Sequence, residues 1–336
     1  MITFWQQEND KLRRCESPER DSERRAWLDA RQVSREDIRV LKDEYGVLEE
    51  HILDILDTDE LSRVEKEDGY TLIILRLPLF QPSEDVSYVT VPLGIILSGN
   101  CLVTICGTDC EVLHDLSENR AKRLSLSDFP AFIIHVLSHA DNTFLRYLKE
   151  INRRSTLIQN ELQRSVQNDE LIKLLNLEKS LVFFTTSLKS NQLLLEKLYK
   201  TRFLHFDEDD RDWLADVEID NRQAIEMADT YSDILSGMMD AFASVISNNL
   251  NIIMKKLTII SLILMVPTLI VSFFGMNIPL PLPNFGYMGI SVVLALCIGA
   301  SLAAHFMLNR TDEHPKKRRV KREGRKKTRK PETSAR

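Results

Sequence analysis

The sequence predicts an α+β cytoplasmic domain followed by a long stalk helix and two C-terminal transmembrane helices. Three observations lead to this fold class. The 336 residues carry a net charge of −6, yet no Asp, Glu, Lys or Arg occurs in the 53 residues from Leu257 to Asn309. Segments of β-rich and helical pattern precede this stretch, and a strongly basic tail follows it. A wholly soluble chain is excluded because the stretch is long enough to cross a bilayer twice.

The first predicted region, residues 1–140, is a cytoplasmic α/β regulatory domain. Its predicted strands are rich in β-branched residues, and turn signals such as Ser98-Gly99-Asn100 separate them. The strands are Thr71–Leu77, Val86–Leu97 and Cys101–Cys106, and the helices are Arg35–Glu44 and Asp128–Ala140.

Residues 141–216 are predicted to form a helical hairpin and an acidic connection. The hairpin lacks Pro and Gly up to Lys200, and Ser165–Asn168 is its predicted break. Acidic residues then cluster from Asp207 to Asp216. Two interpretations of that cluster stay open: a solvated helix entry, where acids are favoured, or weak attraction of divalent cations.

The remaining chain is predicted to enter and leave the membrane. Residues 217–276 read as one stalk helix whose last part, Leu257–Met276, is apolar enough to span. The proline-rich residues 277–286 form an extracytoplasmic loop, and residues 287–308 form the second span. Lys255, Lys256 and the basic tail, residues 309–336, place both termini in the cytoplasm of a multi-pass cell (inner or plasma) membrane protein.

Charge and composition narrow the partners. Residues 1–309 carry a net charge of −15 and residues 310–336 carry +9. The acidic part favours cations and disfavours nucleic acid, and the tail is suited to anionic lipid. Five cysteines, with Cys106, Cys110 and His114 at a spacing that fits no common zinc site, predict reduced structural thiols. The sequence has no phosphate loop, nucleophile motif or paired histidines, so an enzyme is not predicted.

A polar stripe follows the stalk helix into the first span. Its members recur at steps of three and four residues, which places them on one helix face. The stripe includes Asp240, Asn251, Met254, Thr258, Ser261, Met265, Thr268 and Ser272. The other faces, with Ile259, Leu264 and Ile270, are predicted to meet lipid. One interpretation is a pore lining, and the other is that Ser and Thr bond back to their own helix or pack closely.

The end of the first span carries the triplet Gly275-Met276-Asn277. This triplet, two terminal spans, a long N-terminal part and a basic C-terminus together resemble the CorA family of magnesium channels and transporters. The resemblance implies a funnel-shaped homopentamer that conducts Mg²⁺ through a central pore, with the triplet as selectivity filter. By distance from the triplet, it implies that the pore is lined by Asp240, Asn251, Met254, Leu257, Met265 and Thr268, most of them on the stripe.

The resemblance also implies a regulatory cation site between neighbouring cytoplasmic domains. Asp216 matches its helical acid, and Glu84 or Asp85 is the expected partner. Mg²⁺ is then both transported and regulatory, without an organic cofactor, and the membrane potential drives its uptake. The acid-free loop Ile278–Tyr287 departs from many members and weakens the choice of Mg²⁺ over Co²⁺, Ni²⁺ or Zn²⁺. A non-conducting membrane scaffold is the alternative outside transport.

Overall fold

The chain divides into two compact units, Met1–Ala241 and Phe242–Arg336. A computed structural model describes residues 1–8, 11–16, 25–82, 85–118, 125–164, 168–201, 203–276 and 286–310. The first unit contains a β-sheet with helices on both faces, and the described residues of the second unit are almost all helical.

The sheet of the first unit has seven strands in the order β2-β1-β3-β7-β6-β5-β4. Strands β3 and β7 pair in parallel, and all other neighbours in the sheet are antiparallel. The strands are β1 (Ile2–Glu8), β2 (Lys11–Cys15), β3 (Ala26–Arg31), β4 (Arg63–Lys66), β5 (Thr71–Phe80), β6 (Tyr88–Ser98) and β7 (Cys101–Cys106).

The three predicted strands are confirmed as β5, β6 and β7, with small changes at their ends. Their residues are apolar at almost every position because both faces of the sheet are covered. Ile73 and Leu75 belong to the core on one face, and Leu72 and Ile74 belong to the core on the other. Strands β1 to β4 were not predicted. Edge strand β2, Lys11–Cys15, is largely charged, which hides it from a hydrophobic pattern and protects a sheet edge from pairing with other chains.

The helices of the first unit pack on opposite faces of the sheet. Helices α1 and α2 contribute Leu41, Ile52 and Ile55 to one core. Helices α3, α4 and α5 contribute Val112, Phe132 and Leu194 to the other. The helices are α1 (Arg35–Tyr45), α2 (Glu49–Leu56), α3 (Glu111–Ser117), α4 (Phe129–Arg164), α5 (Asn168–Lys200), α6 (Glu208–Phe274) and α7 (Gly286–Arg310).

Helix α2 lies unusually close to the sheet. A Cβ atom added at Gly94 of β6 would come within 2.2 Å of Ile55 Cδ1, so only glycine allows this approach. Helix α1 before it is capped at both ends, by a Ser34–Asp37 capping box and by Gly46 at φ 68°. These local signals fix where the chain enters α2, the helix that carries His51.

The predicted helical hairpin corresponds to α4 and α5, and its predicted break lies where α4 ends at Arg164 and α5 begins at Asn168. The predicted boundary at residue 140 is wrong, because α4 begins at Phe129 and the separately predicted helix Asp128–Ala140 is its first part. The predicted start of the stalk helix near residue 217 differs from the structure, since α6 begins at Glu208. The acidic cluster therefore belongs mostly to the helix and is not a separate connection. Asp207 Oδ1 accepts the backbone N–H of Asp210 at 2.7 Å, and Asp210 Oδ2 accepts that of Asp207 at 3.3 Å. This capping box supports the helix-entry interpretation.

In the second unit, α6 continues to Phe274 and α7 follows. Among the described residues, α6 is the helix that is long and apolar enough to cross a membrane. Helix α7 contains a shorter apolar segment, Ile290–Ala304. The Cys297 thiol of α7 lies 3.8 Å from the carbonyl oxygen of Pro267 in α6. The second predicted span thus lies within α7, and its crossing of a membrane stays a prediction.

Candidate ion pathway on helix α6

Four stripe residues share one shallow groove on the membrane part of α6. Ser261, Met265, Thr268 and Ser272 line this groove, whose volume is about 460 Å³. Leu264 and Leu269 complete its lining. Leu264, which is predicted to meet lipid, lies beside Met265 and Thr268 in this groove and is exposed, so its contact with lipid stays a prediction. The face is therefore mixed, with hydroxyl, thioether and aliphatic groups.

The threonine hydroxyls of this face are satisfied within their own helix. Thr258 Oγ1 donates to the carbonyl oxygen of Met254 at 2.8 Å, and Thr268 Oγ1 donates to that of Leu264 at 2.8 Å. Within one chain, the interpretation that Ser and Thr bond back to their helix is thus correct for these two residues. The bond uses the hydroxyl proton and leaves oxygen lone pairs, so each threonine presents an acceptor outward.

The opposite face of α6 is partly shielded within the unit. Half-buried residues recur there at helical spacing, among them Ile259, Leu262, Ile263, Val266 and Ile270. The contact from Cys297 to Pro267 lies on this face. Ile259 and Ile270 were predicted to meet lipid, and in the structure their surface is partly covered inside the protein. The exposed mixed face and the partly shielded aliphatic face are therefore different sides of one helix.

The other predicted lining residues are also exposed. Met254 retains 60% and Leu257 retains 57% of their accessible surface, and Asn251 is exposed beside them. Asp240 lies on the part of α6 that belongs to the first unit, and its side chain is exposed. These predicted lining side chains are therefore exposed in the single chain.

The triplet begins where α6 ends. The backbone N–H of Gly275 donates to the Val271 carbonyl oxygen at 2.9 Å, and a Cβ at Gly275 would lie 3.2 Å from that oxygen. Glycine therefore permits a tight helix end, after which Met276 is exposed. Asn277, the predicted filter residue, lies outside the described residues.

The predicted regulatory acids lie on separate elements of the first unit. Asp216 is exposed on α6, and Asp85 is exposed in the segment that joins β5 to β6. Glu84 lies outside the described residues. Both described acids are accessible to a second copy of the chain, which is where the resemblance places the site.

The structure shows two polar groups that sequence reasoning missed. His51, Glu65 and Glu67 bring three possible metal-ligand atoms within 4.8 Å of one another. Asp141 of α4 is fully enclosed and accepts a hydrogen bond from Asn221 Nδ2 of α6 at 3.0 Å. Burial, offset partly by this hydrogen bond, raises the pKa of Asp141 to about 8. No local signal could reveal either group, because each depends on contacts between separate elements.

Cys106, Cys110 and His114 lie in different surroundings. Cys106 and Cys110 are buried free thiols, as predicted. His114 instead lies at the surface and pairs with Glu118 at 3.0 Å. Within the described parts of the chain these three residues do not gather into a metal-ligand group, whereas the His51 group does.

Comparison with known proteins gives a consistent result over most of the chain. A family model described as "CorA-like Mg2+ transporter protein" matches residues 22–316. The cobalt/magnesium transport protein CorA of Methanocaldococcus jannaschii is 30% identical over 277 residues, which cover 81% of this chain and 86% of that protein. The protein of the same name from Thermotoga maritima is 25% identical over 77% of this chain and 75% of its own length.

A solved structure agrees with these sequence matches. The complete structure of the CorA magnesium transporter from Methanocaldococcus jannaschii superposes with a TM-score of 0.76 at 26% identity. The superposition covers 94% of this chain and 98% of that one. The similarity therefore includes both the α/β part and the apolar C-terminal helices.

Proposed function

The chain belongs to the CorA family of magnesium transporters, and from this membership we propose that it is a divalent-cation channel for Mg²⁺ uptake. The observation that carries the proposal is the uncharged end of α6, whose exposed face bears Ser, Thr and Met side chains and ends at the Gly275-Met276-Asn277 triplet. On an otherwise apolar membrane helix, a polar face is expected to border water or an ion path, because polar groups are costly against lipid.

The chemistry of this face suits a hydrated magnesium ion. Mg²⁺ gives up its water slowly and usually keeps several water ligands. Those waters direct their protons outward, so they need acceptors, and Thr258 and Thr268 present acceptor oxygens because their own protons are already bonded. Five Asn277 side chains would offer amide oxygens to the same water shell. Such weak contacts allow an ion to leave as well as to enter.

A complete path requires several copies of the chain. One α6 helix cannot enclose an ion, and the face that would line the path is exposed along its length. Ile234, Val245 and Leu250 are also exposed apolar residues on α6, outside the apolar span. Exposed apolar surface of this kind indicates a partner. We propose a homopentamer in which α6 helices surround the axis and Met254, Leu257 and Met265 form dry constrictions.

Regulation by cytoplasmic Mg²⁺ is the second part of the proposal. Asp216 of one copy and Asp85 or Glu84 of the next would share an ion and hold the closed state. Loss of the ion would leave like charges facing each other and bias the assembly toward opening. The exposure of Asp216 and Asp85 in the single chain supports this arrangement.

The membrane potential supplies the driving force. A divalent cation gains about 4.6 kcal/mol for each 100 mV that it crosses, twice the single-charge value. In the proposed topology α6 and α7 both span, and Lys255, Lys256 and the basic tail stay in the cytoplasm near anionic lipid.

Co²⁺ is a second proposed cargo, because the two relatives described above are named cobalt/magnesium transport proteins. Zn²⁺ and Ni²⁺ transport is less favoured, since the exposed face of α6 has no imidazole or thiolate ligand. A non-conducting scaffold would leave the polar face of the membrane helix without a role.

Mg²⁺ flux into liposomes tests the proposal. Purified protein is reconstituted, an inside-negative potential is imposed, and uptake is compared for the original chain, Asn277→Ala and Asn284→Ala. We expect voltage-driven uptake that Asn277→Ala abolishes and that Asn284→Ala, an asparagine change in the same loop, retains. An oligomeric original protein without Mg²⁺ flux would overturn the magnesium proposal, and Co²⁺ flux would then be measured in the same vesicles.

A further inference from the structure

His51 is an enclosed histidine with one ring nitrogen fixed and one left available. It lies on α2, and its residue surface is 8% exposed. Its Nδ1 is 2.7 Å from the Tyr70 hydroxyl, which also accepts the backbone N–H of Leu48 at 3.4 Å. The two rings meet edge to face, with centroids 5.9 Å apart. This contact fixes the orientation of the imidazole and directs Nε2 away from Tyr70.

The His51 ring lies beside two carboxylates. Nε2 is 3.9 Å from Glu65 Oε2, which is too long for a hydrogen bond. Glu67 contributes a third group, and the three ligand atoms all lie within 4.8 Å of one another. Ligands that share one ion at about 2.1 Å lie roughly 3–4 Å apart, so small side-chain rotations would bring these atoms onto a common metal.

We propose that His51, Glu65 and Glu67 bind a divalent transition-metal ion of the Zn²⁺, Co²⁺ and Ni²⁺ class. Imidazole favours such ions, whereas Mg²⁺ prefers an all-oxygen shell. Tyr70 would accept the Nδ1 proton and thereby leave the Nε2 lone pair for the metal. A fixed hydrogen bond on the second nitrogen is the usual companion of a metal-bound histidine. Water would fill the remaining positions on the exposed side.

The surrounding charges are compatible with a cation. Arg63 is a neighbouring positive group, and it bonds Glu65 through Oε1 at 3.1 Å, which leaves Oε2 for the metal. The same arginine pairs with Asp54 at 2.7 Å and with Glu60. One guanidinium thus stands among four carboxylates, counting Glu67, so the neighbourhood stays negative.

The site is separate from the ion pathway and does not depend on transport. It would join α2 to strand β4 and the turn that leads into β5, while α2 itself packs closely on β6 through Ile55 and Gly94. An ion held there would stabilise this contact and would distinguish transition metals from Mg²⁺. The α/β unit would then bind transition-metal ions at a site other than the proposed Mg²⁺ sites.

Co²⁺ titration of the purified full-length protein tests the site, with millimolar Mg²⁺ present to occupy oxygen-rich sites. Visible Co²⁺ absorption reports nitrogen ligation, and equilibrium dialysis gives the stoichiometry. We expect one Co²⁺ equivalent per chain that His51→Gln and Glu67→Gln each lose. His114→Gln is the matched control, because His114 pairs with one acid, and it should keep that equivalent.

Two results would overturn the proposal. One is an unchanged Co²⁺ spectrum and stoichiometry in both His51→Gln and Glu67→Gln, and the other is full displacement of Co²⁺ by millimolar Mg²⁺. Glu67→Gln alters a partly exposed side chain, so it tests the site even where His51→Gln fails to fold, as circular dichroism would show. Because binding is measured without flux, failure of the transport proposal would give a different result.

Discussion

Polar groups are used in opposite ways in the two units. In the first unit they connect distant elements: Arg76 of β5, enclosed between the sheet and α5, donates to Ser187, Thr90 and the Glu60 carbonyl. In the second unit the described threonine bonds are local, as in Thr258 to Met254. The burial of aliphatic side chains differs between the units too, since Ile73 is fully buried whereas Leu269 is 70% exposed.

The difference follows from the surroundings of each unit. In water the hydrophobic effect favours burial of the aliphatic residues of the first unit. Each polar group that is enclosed with them then needs a hydrogen-bond partner. In a membrane, burying aliphatic side chains gains little free energy because lipid is apolar too, whereas an unsatisfied backbone group is costly. A helix with hydroxyls bonded to its own carbonyls meets that requirement without a partner. We therefore expect changes in the long-range network to lower the free energy of unfolding, and changes in the local bonds to affect transport.

Removal of Arg76 should give the largest effect on stability. Arg76→Met leaves the Glu60 and Thr90 carbonyls and the Ser187 hydroxyl without their donor in an enclosed region. We expect a loss of about 2–4 kcal/mol, because each abandoned buried group costs about 1–3 kcal/mol. Thermal unfolding of the full chain in detergent, followed by circular dichroism, measures it. The control Arg153→Met removes an exposed partner of Glu150 and should leave the midpoint unchanged.

Asp141 should give a smaller effect that depends on pH. Its pKa of about 8 lies above the ordinary carboxyl value, so between about pH 4 and pH 8 the folded state keeps a proton that the unfolded state has lost. Stability should therefore fall as pH rises through this window and level off above it. We expect Asp141→Asn to remove roughly 1–3 kcal/mol of this pH dependence.

The proton has an evident structural use. Asp141 Oδ2 and Asn221 Oδ1 are both enclosed and lack a partner in the described part of the chain. A proton on Oδ2 would supply the donor that Asn221 Oδ1 needs, and an asparagine at 141 would supply it at every pH. Melting curves of the original chain and of Asp141→Asn at pH 5 and pH 9 test this assignment. A change in stability with pH that is equal in both proteins would contradict it.

Thr268→Val should give the smallest effect, and it should appear in transport rather than in stability. The change removes the outward acceptor of the groove but keeps the side-chain shape. We expect Mg²⁺ flux to fall by roughly three- to tenfold, which corresponds to about 0.7–1.4 kcal/mol. Thr156→Val is the matched control, because Thr156 Oγ1 donates to the Asn152 carbonyl oxygen at an exposed position of helix α4. Equal flux in both variants would mean that the groove hydroxyl has no part in conduction.

Local periodicity was informative where a segment's surroundings are uniform. Strands β5, β6 and β7 are apolar at most positions, and residues 141–200, which form most of α4 and α5, lack Pro and Gly, so their types were predicted correctly. Strand β2 was missed because its charged residues suit a sheet edge. The start of α6 was predicted nine residues late, since an acidic cluster reads equally well as a connection until the capping bonds of Asp207 and Asp210 are seen.

The sequence by itself determined the uncharged C-terminal region, the polar stripe, the Gly275-Met276-Asn277 triplet and thus the family. These features are continuous along the chain, and bilayer thickness and helix geometry act on them directly. Only the tertiary structure decided that Arg76 meets Ser187, that Asp141 meets Asn221 and that His51 faces Glu65 and Glu67. Each of these contacts joins separate elements, so it depends on how strands and helices pack and leaves no periodic signal in the sequence.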